Sequence, residues 1–233
     1  MNAEQKMELL GQLYDNWSAC ARCGLCTPKG RERGHVVFGE GNPDANLLIV
    51  GEAPGAHEDI TGHPFAGKSG EVVDEMLRSF CSSRDEVFIT NVVGCRPTED
   101  ENPKVNRPPT KDEVAACSER VARIIDIVDP YVVLILGKTA MTALTQEKGL
   151  TKLAKSASVP EVTAETMGRF VPVGRPAFVT FHPAYLLRNW DTSEKGDVHK
   201  SYRTWEKAFY ISDAYAEIYK GITPPIREKQ DVR

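Results

Sequence analysis

The densest chemistry in this chain of 233 residues is its six cysteines, three of them packed as Cys20-x2-Cys23-x2-Cys26. Thiolates at that spacing hold a metal or an iron–sulfur cluster. Three sulfurs do not fill four coordination positions, so further ligands must come from elsewhere. Cys95 closes an apolar run, an ordered place for a fourth ligand. Cys117 lies on a helical pattern, where core packing of a free thiol is the plain alternative. Cys81, beside Ser82-Ser83-Arg84, reads as a free thiol. A structural zinc is the other reading of the set. Disulfides are not expected of these cysteines in a reducing compartment.

A second group gathers at the ends of apolar runs. Glu52, Glu58 and Asp59 follow Leu47–Val50, Asn91 lies near the end of Val87–Val93, and His182 follows Ala177–Phe181. Phe65 stands in the loop between the acids and the next helix. Singly these are turn acids, a strand-end cap, a surface aromatic and a core histidine. Together they can stack a planar ring, offer one amide donor and one acceptor, and donate to an oxygen that gains negative charge. That set suits the edge of a nucleobase.

A literal phosphate-loop match, Gly62-x4-Gly67-Lys68-Ser69, does not fit its surroundings. Such a loop needs a strand immediately before its first glycine. Here polar Ala56–Thr61 precedes it, Pro64 removes a backbone donor, and Phe65 sits where small residues are usual. Nucleotide hydrolysis is therefore set aside.

The elements that must position these residues follow from periodicity. Met7, Leu10, Leu13, Tyr14 and Trp17 mark a first amphipathic helix over 3–17. Leu47–Val50, Val87–Val93 and Val132–Leu136 are branched apolar runs, the pattern of strands buried on both faces. A helix starts near Ser69 and buries Val72, Val73, Met76, Leu77 and Phe80. Thr110-x-x-Glu113 is a capping box, opening a helix with Val114, Cys117, Val121, Ile124, Ile125 and Val128. A short helix is expected around Thr139–Leu144, and a last one over about 197–219. Phe170–Val173 and Ala177–Phe181 read as a short hairpin around Gly174-Arg175-Pro176. Residues 98–109 are acidic, proline-rich loop, and 147–168 show no period. Strands alternating with helices predict an α/β fold with a parallel sheet covered on both faces. The chemistry then gathers at the carboxyl edge of the sheet.

Composition fits one domain over 1–220 with a frayed tail over 221–233. The chain is 41% hydrophobic and 27% charged, with net charge −4. That balance weighs against wrapping duplex DNA but leaves room for a local basic mouth from Arg175, Arg188, Lys195, Lys200 and Arg203. No apolar run approaches the roughly 20 residues of a membrane span. The polar start MNAEQKMELL reads as neither signal nor transit peptide, so a cytoplasmic or nucleoid-associated location is expected.

The stretches CARCGLC, VVFGEGNPDANLLIVGEAPGAHEDITGHPFAGKSG, FITNVVGCRP, PPTKDEVAAC, VVLILGKTA and TFHPAYLLRN, in this order, strongly resemble the family 4 uracil-DNA glycosylases, the iron–sulfur branch of their superfamily. The resemblance implies a three-layer α/β/α sandwich with a central four-stranded parallel sheet. It implies a [4Fe-4S] cluster on Cys20, Cys23, Cys95 and Cys117, with Cys26 a bystander. Carried over, Phe65 stacks on a flipped uracil, Asn91 pairs with its polar edge, and Glu58 crowds its C5 position. His182 stabilises charge on the departing base, while Glu52 and the Ala53 backbone line the pocket, Glu52 as candidate holder of the water. Tyr185, Leu186 and Leu187 would fill the gap in the duplex and Arg188 would hold a phosphate. The implied partner is uracil-containing DNA, single- or double-stranded, with replication or repair proteins beyond it and a monomer as the working unit. The chain departs from the pattern in a longer Cys95–Cys117 interval, a longer loop after Cys23, and Gly94 where a basic residue is common. The insert holds no histidine of the kind by which a uracil-trapping relative links itself to the sugar, so turnover is expected. A non-catalytic DNA-binding module that kept the fold and cluster is the alternative from another class.

Overall fold

The computed structural model describes residues 1–26, 34–100, 102–145, 177–193 and 196–218. At its centre lie β2 (Leu47–Gly51), β3 (Phe88–Asn91), β4 (Val132–Leu136) and β5 (Ala177–Thr180), all parallel, with a two-residue antiparallel edge β1 (Glu40–Gly41). The order is β1-β3-β2-β4-β5. The expected four parallel strands are therefore present, with one short strand more at the edge.

Alternation along the strands sorts the side chains into two cores. Leu48, Val50, Val133 and Ile135 pack against α4 (Lys111–Val128) and α5 (Lys138–Leu144). Leu47, Ile49, Leu134 and Leu136 face α3 (Lys68–Ser79) and α7 (Asp197–Ile218), where Val73, Leu77, Trp205 and Phe209 meet them. Every residue of β2 and β4 is buried. Each large apolar side chain so placed contributes about 1.5–3 kcal/mol, and a polar substitution on either face would break a layer.

The helices start where local chemistry dictates. α1 (Ala3–Ser18) is closed by Asn2, whose side chain accepts from Gln5 N at 2.9 Å while Gln5 Oε1 accepts from Asn2 N at 3.0 Å. At α4, Thr110 Oγ1 accepts from Glu113 N at 3.2 Å and Glu113 Oε2 accepts from Thr110 N at 2.7 Å, the predicted capping box. Asp129 ends this helix in the left-handed region.

The structure adds one helix to the expected elements. Ala56–Thr61, a polar stretch to which the sequence assigned no element, is a short helix α2, ended by Gly62 at φ +78°. Ala177–Thr180 pairs in parallel with β4, Val133 opposite Ala177 and Leu136 opposite Thr180. The other arm of the expected hairpin, Phe170–Val173 with its turn Gly174-Arg175-Pro176, lies outside the described residues, as do all of 147–168 and the tail 221–233. The strand order turns about β2, with β3 on one side and β4 on the other. In open sheets of this kind the crevice for a ligand opens at the carboxyl ends beside such a reversal.

Candidate active site

Asn91, the last residue of β3, stands in register with Gly51, the last of β2. A Cβ at Gly51 would lie 2.4 Å from Asn91 Oδ1 and 2.5 Å from Phe65 Cζ. Glycine there is what lets the amide and the ring converge. The Asn91 backbone carbonyl is held from behind by Arg120 Nη2. The residue is only 2% exposed, and among the described residues Oδ1 has no hydrogen-bond partner. A buried acceptor left unmade costs about 1–3 kcal/mol, so a ligand that donates to Oδ1 recovers that penalty.

Phe65 is presented by a constrained loop. Its φ of 53° lies in the left-handed region, a conformation that costs a bulky residue about 1–3 kcal/mol and persists only when its surroundings enforce it. Arg84 does so. Nη2 donates to Phe65 O at 2.7 Å and Nη1 to Pro64 O at 2.9 Å, while Glu40 and Asp74 hold the guanidinium at 2.9 and 2.7 Å. Glu58 fastens the same loop from the other side, accepting from Gly55 N and Gly67 N, each at 3.0 Å. Both Glu58 oxygens are thus occupied, which makes its side chain a fixed wall of the site. Asp59 turns toward Gly34 instead. An Arg84→Met variant is expected to lose about 2–3 kcal/mol of stability and to speed hydrogen exchange at Ala66 and Gly67. Unchanged exchange there would contradict the clamp.

His182 follows β5 and caps α6 (Pro183–Arg188), its Nδ1 accepting from Ala184 N at 3.2 Å. Gly137, at φ +93°, makes room for it: a Cβ there would come within 2.9 Å of His182 Cβ. The imidazole stacks on Phe65 with centroids 5.9 Å apart and 26° between planes. Burial pulls its pKa from 6.5 to about 4, helped by the positive charge of Arg188 and opposed by Glu58. The ring is therefore neutral at pH 7. With Nδ1 accepting, the proton is on Nε2, which makes Nε2–H a donor.

These groups line one cavity of about 370 Å³, with Glu52 and Ala53 from the turn after β2. Its remaining wall comes from the 98–109 segment, whose Asn106 and Arg107 reach the same cavity. Sequence reasoning read that segment only as an acidic insert. In the structure Thr98 and Asn106 bridge, Arg96 Nε donates to Asn106 Oδ1 at 2.7 Å, and Arg107 grips Glu113 with two bonds of 2.7 and 2.8 Å. Arg107 holds the Glu113 carboxyl below the usual carboxylate range. The capping box of α4 thus anchors the wall, and the Asn-Arg-Pro-Pro run beside that cap was the one signal for it.

The expected duplex-contacting residues divide. Leu186 is 1% exposed and packs on Val72 and Phe181, so it belongs to the core of this layer and not to a surface. Leu187, 41% exposed, is the leucine that projects. Tyr185 stacks on Phe181 and donates to Asp197 Oδ2 at 2.9 Å. Arg188 lines the cavity mouth. Of the other cations proposed for a basic mouth, Lys200 pairs with Asp197 and Arg203 with Glu206. Arg175 and Lys195 lie outside the described residues. The phosphate-loop match is also resolved: Gly62 ends α2, and Lys68 opens α3 with no strand before it.

Cys95 and Cys117 are buried, and Cys20, Cys23 and Cys26 are half-buried. Burial pushes the Cys23 thiol up, and charge on Cys117 and Cys20 adds to this. The fully buried Arg120 guanidinium is pulled below its ordinary value by burial, against Cys117, Cys95 and Cys20. Cys20, Cys23, Cys95 and Cys117 therefore act on one neighbourhood. Exposed Cys81 lies in the turn after α3. Among the described residues no three His, Cys, Asp or Glu side chains close on a single metal position.

Comparison with known proteins matches the model of the "Uracil DNA glycosylase superfamily" over residues 38–208. A type-4 uracil-DNA glycosylase of Thermotoga maritima is 37% identical over 186 residues, 80% of this chain and 85% of that protein. One from Sulfurisphaera tokodaii is 34% identical over 185 residues, 78% of each chain. A type-5 uracil-DNA glycosylase of Thermus thermophilus is 32% identical over 133 residues, 51% of this chain and 58% of that protein.

Proposed function

The chain belongs to the uracil DNA glycosylase superfamily, and from that premise we propose how its site works on uracil in DNA. The protein is a uracil-DNA glycosylase, a DNA-repair hydrolase acting on the N-glycosyl bond. The observation that carries the site reading is the meeting of an unpartnered Asn91 amide oxygen and a neutral His182 in one cavity, beside the Phe65 ring.

The base leaves as an anion and the sugar becomes cation-like in the transition state. The flipped uracil stacks on Phe65. Its N3–H donates to Asn91 Oδ1; cytosine, with an unprotonated N3, leaves that oxygen unpaired. His182 donates from Nε2 to the uracil oxygen as negative charge builds there, with no prior proton exchange, since the imidazole is already neutral. Glu52 orients the attacking water, and its carboxylate opposes the growing positive charge of the sugar. Glu58 bounds the C5 side of the ring. Leu187 and Tyr185 approach the space vacated in the duplex and Arg188 a flanking phosphate. Flipping costs a few kcal/mol, which these contacts offset. Among the described residues no lysine lines the cavity as an amine nucleophile, so the enzyme is expected to release the base without cutting the strand.

The residues present fit a [4Fe-4S] cluster. The donor set is all sulfur, and a fully buried guanidinium, acted on by Cys117, Cys95 and Cys20, lies beside it with Nε meeting no partner among the described residues. An all-thiolate donor set is what such a cluster requires, and Cys20, Cys23, Cys95 and Cys117 would hold it. Bound there, the cluster would tie the segment after α1 to β3 and α4. Residues 1–220 form one functional domain in this reading, working as a monomer on cytoplasmic, nucleoid-associated DNA.

The test is uracil release from labelled oligonucleotides with one deoxyuridine opposite G, opposite A or single-stranded, with EDTA present and alkali to reveal abasic sites. Multiple turnovers are expected. No release from protein that holds its iron would favour a non-catalytic binding module.

A further inference from the structure

Arg120 is an unusual residue for the middle of an amphipathic helix. It lies on α4, three residues after Cys117, and is 0% exposed. Burying an unpaired guanidinium in an apolar layer costs several kcal/mol, so it needs a compensating partner. Its oxygen partners are backbone carbonyls and one hydroxyl: Nη1 donates to Phe38 O at 2.6 Å and Thr90 Oγ1 at 3.2 Å, Nη2 to Asn91 O and to Val92 O at 3.4 Å. None of these oxygens carries a full charge, and among the described residues Nε meets no partner. The guanidinium also donates to Cys117, one turn back on α4, and the charges of Cys95 and Cys20 act on it. Room for it is made at Gly94, where a Cβ would meet Nε at 3.3 Å and Cζ at 3.5 Å. The side chain thus lies between the cysteine neighbourhood and the carboxyl end of β3.

We propose that Arg120 is a positioning residue: its buried cation balances the negative charge of the four-cysteine cluster, and the same guanidinium fixes the backbone of the strand end that carries Asn91. The inference rests on the cluster reading above. It makes one charge serve two neighbours. A cluster with four thiolate ligands is anionic overall, and net charge and hydrogen bonds near its sulfurs set how readily it gives up an electron. The cluster in turn makes burial of the guanidinium tolerable. Losing either leaves the other uncompensated beside Asn91.

The experiment treats wild-type, Arg120→Met, Arg120→Lys and Gly94→Ala proteins with ferricyanide and follows loss of the cluster's visible absorption, with iron content and circular dichroism as controls. Ferricyanide removes an electron from the cluster, and the oxidised cluster sheds iron. Without the nearby cation the electron leaves more easily, so Arg120→Met should bleach several-fold faster. Arg120→Lys, which keeps the charge, should bleach near the wild-type rate, though with a lower kcat because it cannot span all the carbonyls. Gly94→Ala, which crowds Nε, should bleach faster and lower kcat more than it raises KM. Bleaching at the wild-type rate in both Arg120→Met and Gly94→Ala would overturn the proposal, and if Arg120→Met fails to fold, Gly94→Ala decides it alone. A wild-type protein without iron would instead refute the cluster reading.

Discussion

Replacing His182 with alanine is expected to lower the single-turnover rate of uracil release by roughly 10²–10³-fold, the usual loss of one preorganised donor to a developing oxyanion. Two roles must be separated, because His182 also caps α6 through Nδ1. Losing a cap costs about 0.5–2 kcal/mol. Asparagine can cap a helix but cannot place a donor where Nε2–H lies. His182→Asn should therefore recover most of the thermal stability lost in His182→Ala and little of the rate. Equal recovery of both would show that the histidine serves only the helix.

The depressed pKa of His182 sets the pH behaviour. With the folded value near 4 against an ordinary 6.5, the unfolded chain binds the proton first as pH falls. The contribution of the neutral ring to stability is complete above about pH 6.5, declines through the interval and is lost by about pH 4. Activity limited by this group should be flat from neutral pH down to about 5 and fall toward 4, where a proton on Nδ1 breaks the bond from Ala184 N. A profile that instead lost activity on rising through pH 6.5 would mean that the imidazolium is the working form.

Asn91→Ala is the second large effect. A site built to hydrogen-bond its substrate discriminates strongly when that bond is missing, and kcat/KM for deoxyuridine should drop by about 10²-fold or more. The free protein should meanwhile be no less stable, and its Tm should stay level or rise. Oδ1 is buried without a partner, so its removal relieves a desolvation penalty, and the space released joins a cavity already open. A sharp fall in Tm would show that the amide is structural. Uracil release at the wild-type rate would remove Asn91 from the pocket.

Much of this architecture was legible in the residues. Leu47–Val50 and Val132–Leu136 announced themselves because a strand buried on both faces is apolar at every position. The cap at Thr110 was visible because its two bonds are local. Asn91 and His182 were found because each sits near an apolar run's end, and strand ends are where such sheets keep their chemistry. What escaped depended on distant contacts. Arg84 looks like a surface residue in a polar turn, yet it holds the Phe65 loop. Arg120 occupies a charged position in a helix whose neighbours are periodic, and only the fold shows that its face is buried. Leu186 and Leu187 are identical in type and adjacent, and only the rotation of a two-turn helix sends one inward. Asn106 and Arg107 lie in a stretch without period, brought to the cavity by a bridge, the Arg96–Asn106 bond and an ion pair.

The docking of α1 has a bearing on how the protein is made. Lys6 Nζ donates to Val128 O at 2.8 Å, across 122 positions, and pairs with Asp44 at 2.5 Å. Leu10 of α1 shares its core with Val121 and Ile125 of α4. During translation at about 5–20 residues per second, α1 emerges roughly 6–24 seconds before the helix it packs against. Over that interval the nascent chain carries an amphipathic helix with no partner and, close behind it, the thiols of Cys20 and Cys23 open to oxidants and stray metal. Docking of the first helix is therefore a late event, gated by release of α4 from the ribosome.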